Sequence, residues 1–139
     1  MYLLDTNVVS ELRKAKTGRA DLRVVRWAAS VDAILMYVSA ITVQELEIGV
    51  LLAEREDKLQ GEVLRTWLQT QVLPAFRQRI LPVDVTVAQR SASLHVPDPK
   101  PFRDGLIAAT ALVHGMTLVT RNTTDFEGCG VPLLNPWEK

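Results

Sequence analysis

Cysteine is almost missing: Cys129 stands alone in 139 residues, so no disulfide framework holds the chain together. Histidine is nearly as scarce. With only His95 and His114 beside that one thiol, a Cys/His zinc site is excluded. Net charge is missing altogether, since 16 Lys and Arg balance 16 Asp and Glu, and no global field draws the molecule toward a polyanion or a membrane. Neither a membrane-length apolar run nor a charged leader with an apolar stretch behind it is present. A soluble, cytoplasmic protein with no membrane partner is the expectation. Serine-nucleophile chemistry lacks its G-x-S-x-G context, and no glycine-rich loop cradles phosphate.

What is present is apolar residue, 47 % of the chain, enough for a single domain over 1–139 to bury a core without staples. Charge is concentrated in one place. Arg13, Lys14, Lys16, Arg19, Arg23 and Arg26 face only Asp21, a local patch able to follow a phosphate backbone or to serve as a solvated helix face.

Hydrophobic patterning predicts short buried strands at Tyr2 to Leu4, at 34–40, 79–84, 117–120 and 131–135. Helices are expected over Thr6 to Leu12, 22–31, the long run from Ile41, 86–95 and "RDGLIAATALVH", with Gly61 dividing the long run and Pro74 ending its second part. "VPDPKP" (96–101) must be a loop, because three prolines in six residues cannot continue a helix. Trp27, Trp67 and Trp137 are expected in the core. Buried strands alternating with helices specify an α/β fold, a three-layer α/β/α domain with a central parallel sheet. In such a sheet strand C-termini and helix N-termini share one edge, where ligands bind.

That edge collects acids. Asp5 ends the first strand, Glu45 is expected in the first turn of the helix after the second, Asp104 opens the apolar helix, and Asp125 follows the fourth strand. Each has a local alternative: Asp5, Asp104 and Asp125 as caps, and Thr42-x-x-Glu45 as a capping box. Jointly these are weaker, because four converging acids with no basic residue in the same motifs repel unless a cation joins them. Mg²⁺ or Mn²⁺ suits carboxylate oxygens without His or Cys, and such an ion activates water and neutralises charge on a phosphodiester. Thr6, Asn7, Thr120 and Asn122 are polar neighbours placed to orient those carboxylates or their waters. Helical periodicity does not choose between Glu45 and Glu47.

"LLDTNVVSEL", "SAITVQELEIGVLL", "RDGLIAATALVHGMTLVTRNTTDF" and the terminal "LLNPW" together resemble the PIN-domain ribonucleases, specifically VapC toxins of the FitB type, over nearly the whole chain. The resemblance implies a PIN-like fold and Mg²⁺- or Mn²⁺-dependent endonucleolytic cleavage of RNA by the toxin of a type II toxin-antitoxin system. It makes Asp5, Glu45 and Asp104 the core metal ligands, prefers Glu45 over Glu47, and adds Asp125 as a more variable fourth. It further implies a cognate VapB/FitA-like antitoxin whose tail blocks the cleft, a toxin homodimer, and promoter DNA bound only through the antitoxin. "HVPDPKPFRD" departs from the family, where many relatives continue a helix toward the third acid. Two rivals stand beside this reading. A haloacid-dehalogenase phosphatase needs a second acid where Asn7 stands, and a catalytically silent PIN-like module would bind RNA or protein without cutting.

Overall fold

Alternation of side chains along five short strands, rather than any long apolar stretch, organises the molecule. The computed structural model describes residues 1–138. The strands β1 (Tyr2–Leu4), β2 (Met36–Ser39), β3 (Ile80–Leu81), β4 (Thr117–Val119) and β5 (Leu133–Leu134) form one sheet in the order β3-β2-β1-β4-β5. Every pairing is parallel, with Tyr2 opposite both Met36 and Thr117. Successive residues therefore point to opposite faces and feed two separate cores. Leu4, Val38 and Val119 pack with Val8, Val24, Trp27, Leu46 and Leu68 on one face, whereas Leu3 and Leu118 pack with Ile107, Ala108, Ala111 and Phe126 on the other.

The first face is covered by α1 (Thr6–Arg13), α2 (Leu22–Ser30), α3 (Ala40–Glu56) and α4 (Lys58–Trp67), which runs through a π-helical turn (Leu68–Val72) into the short α5 (Leu73–Ala75). The second is covered by α6 (Val85–Leu94) and α7 (Phe102–His114). The expected parallel α/β layering is thus present. α7 places Gly105 and Ile107 through Ala111 in the interior and stops at Gly115, whose left-handed φ of 65° suits a residue without Cβ.

Several boundaries differ from expectation, each for a local reason. The long helical run breaks at Asp57, not at Gly61. Asp57 leaves helical geometry (φ −149°, ψ 101°) and its carboxylate accepts the Gln60 N–H, so one residue ends α3 and caps α4. Gly61 lies inside α4, where its missing side chain lets the two helices touch: a Cβ there would stand 2.6 Å from the Glu54 Cα. The second strand starts at Met36 because Asp32 caps a 3-10 turn over Ala33–Leu35 and leaves Ile34 exposed. Proline trims the two edge strands: Pro82 follows Leu81 and Pro132 precedes Leu133. In α2 the buried residues are Val24 and Trp27, whereas Leu22 is exposed. Trp27 and Trp137 are core residues, and Trp67 is half-buried.

Buried polar side chains concentrate at the strand C-termini. Asp5, Ser39, Thr42 and Thr120 all lie there, each with at most 1 % of its surface exposed. Polar groups sealed from water in this way must be bonded to one another or to a ligand.

Candidate active site

Asp5 caps α1, and its Oδ1 accepts the Thr6 N–H at 2.8 Å. That satisfies the ordinary capping expectation but uses only part of the carboxylate. Oδ2 accepts from the Thr120 hydroxyl at 2.8 Å, and Oδ1 also accepts from Arg103. Thr120 occupies the position after β4, so the β1–β4 pairing itself sets these two side chains together. The Thr120 hydroxyl in turn accepts from the Asn122 N–H at 3.1 Å and from Asn7 Nδ2 at 3.4 Å, which directs its own proton at Asp5. Asn7 Oδ1 takes the Arg121 N–H at 3.3 Å, tying the start of α1 to the loop after β4.

Glu45 is not in the first turn of α3. The helix starts at Ala40, capped by the Ser39 hydroxyl, and Thr42 is buried within it instead of opening a capping box. Freed from capping, Glu45 reaches across to α1: its Oε1 accepts from the Thr6 hydroxyl, which also pairs with Thr42 Oγ1 at 3.2 Å. Glu47, two residues on, points elsewhere. It accepts two hydrogen bonds from Arg65 on α4, at 2.8 and 2.6 Å, and Glu54 joins the same guanidinium. Of the two glutamates, Glu45 shares its arginine with Asp5 and Asp104, whereas α4 supplies Glu47 with a separate one.

Asp104 lies in the first turn of α7 and caps nothing, and its Oδ1 accepts from Arg103 at 2.6 Å. Arg103 is the residue that sequence reasoning missed. Its Nε donates to Glu45, one terminal nitrogen to Asp104 and the other to Asp5, so one guanidinium touches all three acids. The premise that the acidic motifs hold no base is corrected here, because Arg103 stands directly before Asp104 in "FRDG". Burial opposes its charge, but hydrogen bonding to Glu45 and the negative charges of Asp5 and Glu45 outweigh that and raise its pKa above the ordinary arginine value.

Asp125 does not join the other three. It is exposed on a 3-10 turn (Thr123–Phe126) whose buried anchor is Phe126, and among the described residues its side chain has no recorded partner. The proline loop leaves Asp104 in place. His95 accepts the Lys100 N–H at 3.1 Å within that loop, and α6 packs so closely on α7 that a Cβ at Gly105 would meet His95 Nε2 at 2.9 Å.

Two unit charges 4 Å apart interact by about 4 kcal/mol at an effective dielectric of 20, so three clustered carboxylates require positive charge among them. One guanidinium supplies a single charge. The donor set of carboxylate oxygens with hydroxyl support fits a hard divalent cation. With Arg103 wedged between them, however, no three acids among the described residues come together as a ready ligand group.

A groove leads away from this centre. Thr6 and Glu45 line it together with Arg13, Lys14 and Trp67, and the Arg13 guanidinium lies 5.9 Å from the Trp67 ring centroid. Arg19 lines an adjoining hollow with Arg13 and Lys14; Lys14 also pairs with Glu11 at 3.2 Å, and Arg23 is drawn into a pair with Asp21. The first half of the basic stretch thus faces the acids' edge.

Residues 2–128 match the PIN domain family. Over 99 % of both chains, the protein is 41 % identical to the toxin FitB of Neisseria gonorrhoeae and 39 % identical to the VapC ribonuclease Y4jK of Sinorhizobium fredii. Among solved structures, FitAcB from Neisseria gonorrhoeae superposes with a TM-score of 0.90 at 39 % identity, covering all of both chains. FitAB bound to an IR36 DNA fragment superposes at 0.87, covering 99 % of this chain and 96 % of that one. A sheet order, an acidic edge and full-length likeness agree, and the chain belongs to the PIN-domain family, within the group of VapC toxins that includes FitB.

Proposed function

We propose that the protein is a toxin-antitoxin ribonuclease that hydrolyses RNA phosphodiester bonds with the help of Mg²⁺ or Mn²⁺. The observation that carries this reading is the convergence of Asp5, Glu45 and Asp104, from three separate elements, on one point of positive charge. Asp5, Glu45 and Asp104 would hold the ion, and the likeness to the VapC toxins supports Asp125 as a further acid although it lies apart from them here. Once bound, such an ion supplies an activated water and neutralises charge on the departing oxygen.

The remaining work falls to the chain's own groups. Thr120 and the Thr6 N–H hold Asp5 in one orientation, and the Thr6 hydroxyl holds Glu45, so neither carboxylate must be reoriented when substrate arrives. Arg13 and Lys14 give a polyanion a track that ends at Glu45. RNA suits such a groove because single strands bend into clefts that a duplex cannot enter. The full-length likeness to FitB, whose solved complexes are FitAcB and a DNA-bound FitAB, supports a FitA-like antitoxin as partner and promoter DNA as a target of the complex. A toxin homodimer and a cytoplasmic site of action complete the reading.

The silent-module alternative draws on one observation, that Arg103 already hydrogen-bonds to all three acids without any ion. Cleavage separates the two. Freed from its antitoxin, the chain should cut single-stranded RNA only when Mg²⁺ or Mn²⁺ is added, and Asp5→Asn should reduce cutting to background while the protein still melts cooperatively. Metal-independent cleavage, or full activity in Asp5→Asn, would sink the assignment.

A further inference from the structure

Resting on the metal-dependent reading above, we infer that Arg103 is a positioning residue that holds the seat of the divalent ion and must be displaced for the ion to bind. Asp5 is 0 % exposed, and three of the roughly four acceptor positions of its carboxylate are taken, by the Thr6 N–H, the Thr120 hydroxyl and Arg103. The first two belong to the frame of β1, α1 and β4. Only Arg103 can leave without unmaking the sheet edge.

Arg103 is also built to leave. Its side chain retains 32 % exposure, and it sits in the first turn of α7, where the helix dipole disfavours a cation. Its charge leaves two of the three negative charges uncompensated, whereas a divalent ion compensates two. The exchange therefore gains Coulomb energy where dielectric screening is weak. What the guanidinium contributes meanwhile is geometry. It touches Asp5, Glu45 and Asp104 with three different nitrogens, so in the ion-free chain the acids stay convergent instead of repelling one another apart.

Ion and arginine thus compete for the same oxygens, and removing the arginine should tighten ion binding. Mn²⁺ titrated into the full-length chain and followed by electron paramagnetic resonance of the free ion measures this without reference to cleavage. Arg103→Met should bind Mn²⁺ at least 10-fold more tightly than wild type. Its ion-free melting temperature should fall, and the rise in melting temperature on adding Mn²⁺ should grow. Arg103→Lys, which keeps the charge but not the three-way reach, should lie between the two and decides the matter if Arg103→Met does not fold. Equal or weaker Mn²⁺ binding in the variants overturns the inference while leaving metal-dependent cleavage standing. Failure of wild type and variants alike to bind Mn²⁺ overturns both.

Discussion

The proton of one hydroxyl shows how finely the edge is set. Thr120 Oγ1 accepts from two nitrogens and so can donate only to Asp5. Thr120→Val keeps the shape and removes that donor, leaving a buried carboxylate oxygen and the Asn122 N–H short of partners. A cost of about 1–3 kcal/mol is expected in urea unfolding, with a loss of roughly 10–100-fold in Mn²⁺ affinity. Thr120→Ser, which restores the hydroxyl, should recover most of both. At this scale the acids were legible because strand ends and helix starts are marked in the sequence, and Asp5, Glu45 and Asp104 do meet. Arg103 was not, since a base next to an acid in a helix reads as surface charge until the fold turns it inward. Asp125 was legible only as an acid after the fourth strand: the neighbour that the core takes is Phe126, which leaves the acid exposed and apart from the Arg103 cluster.

Between elements, contact distance outweighs propensity. Gly61 looks like a helix breaker, and in an isolated α4 replacing it by alanine would gain about 1 kcal/mol. Here the added carbon would meet the Glu54 backbone at 2.6 Å. Forcing α3 and α4 apart costs roughly 1–3 kcal/mol, so Gly61→Ala should lower stability on balance, measured as a reduced urea midpoint at unchanged slope. A gain in midpoint would show that the helices part freely. Sequence reading assigned Gly61 the break because conformational freedom is a property of one residue, whereas its use as a contact point requires knowing what lies opposite. Asp57 carried a cap signal, but a helix-forming run on both sides of it concealed the stop.

Over the whole molecule, net neutrality hides pairs that respond to acid. The Arg65 hydrogen bonds hold the Glu47 pKa below the ordinary glutamate value of 4.5, against the pull of burial, and Arg23 in the same way lowers Asp21 to about 2. A depressed folded pKa means that the pair contributes in full above the unfolded value and fades as pH falls through the folded one. The difference in melting temperature between wild type and Arg65→Met should therefore be largest near pH 7 and shrink toward pH 3. Both carboxylates are solvent-accessible, so the effect is small and should weaken further in salt. A difference that grew on acidification would contradict the pairing. Layering at this scale was legible from the alternation of short buried strands with helices along the chain, because a parallel sheet covered on both faces is what such an order builds.

The two outermost strands, β3 and β5, are only two residues long and adjoin prolines. A stranger chain seeking to zip onto either flank finds barely one rung of ladder, so even a crowded population of these molecules has little means of growing into fibres through its sheets.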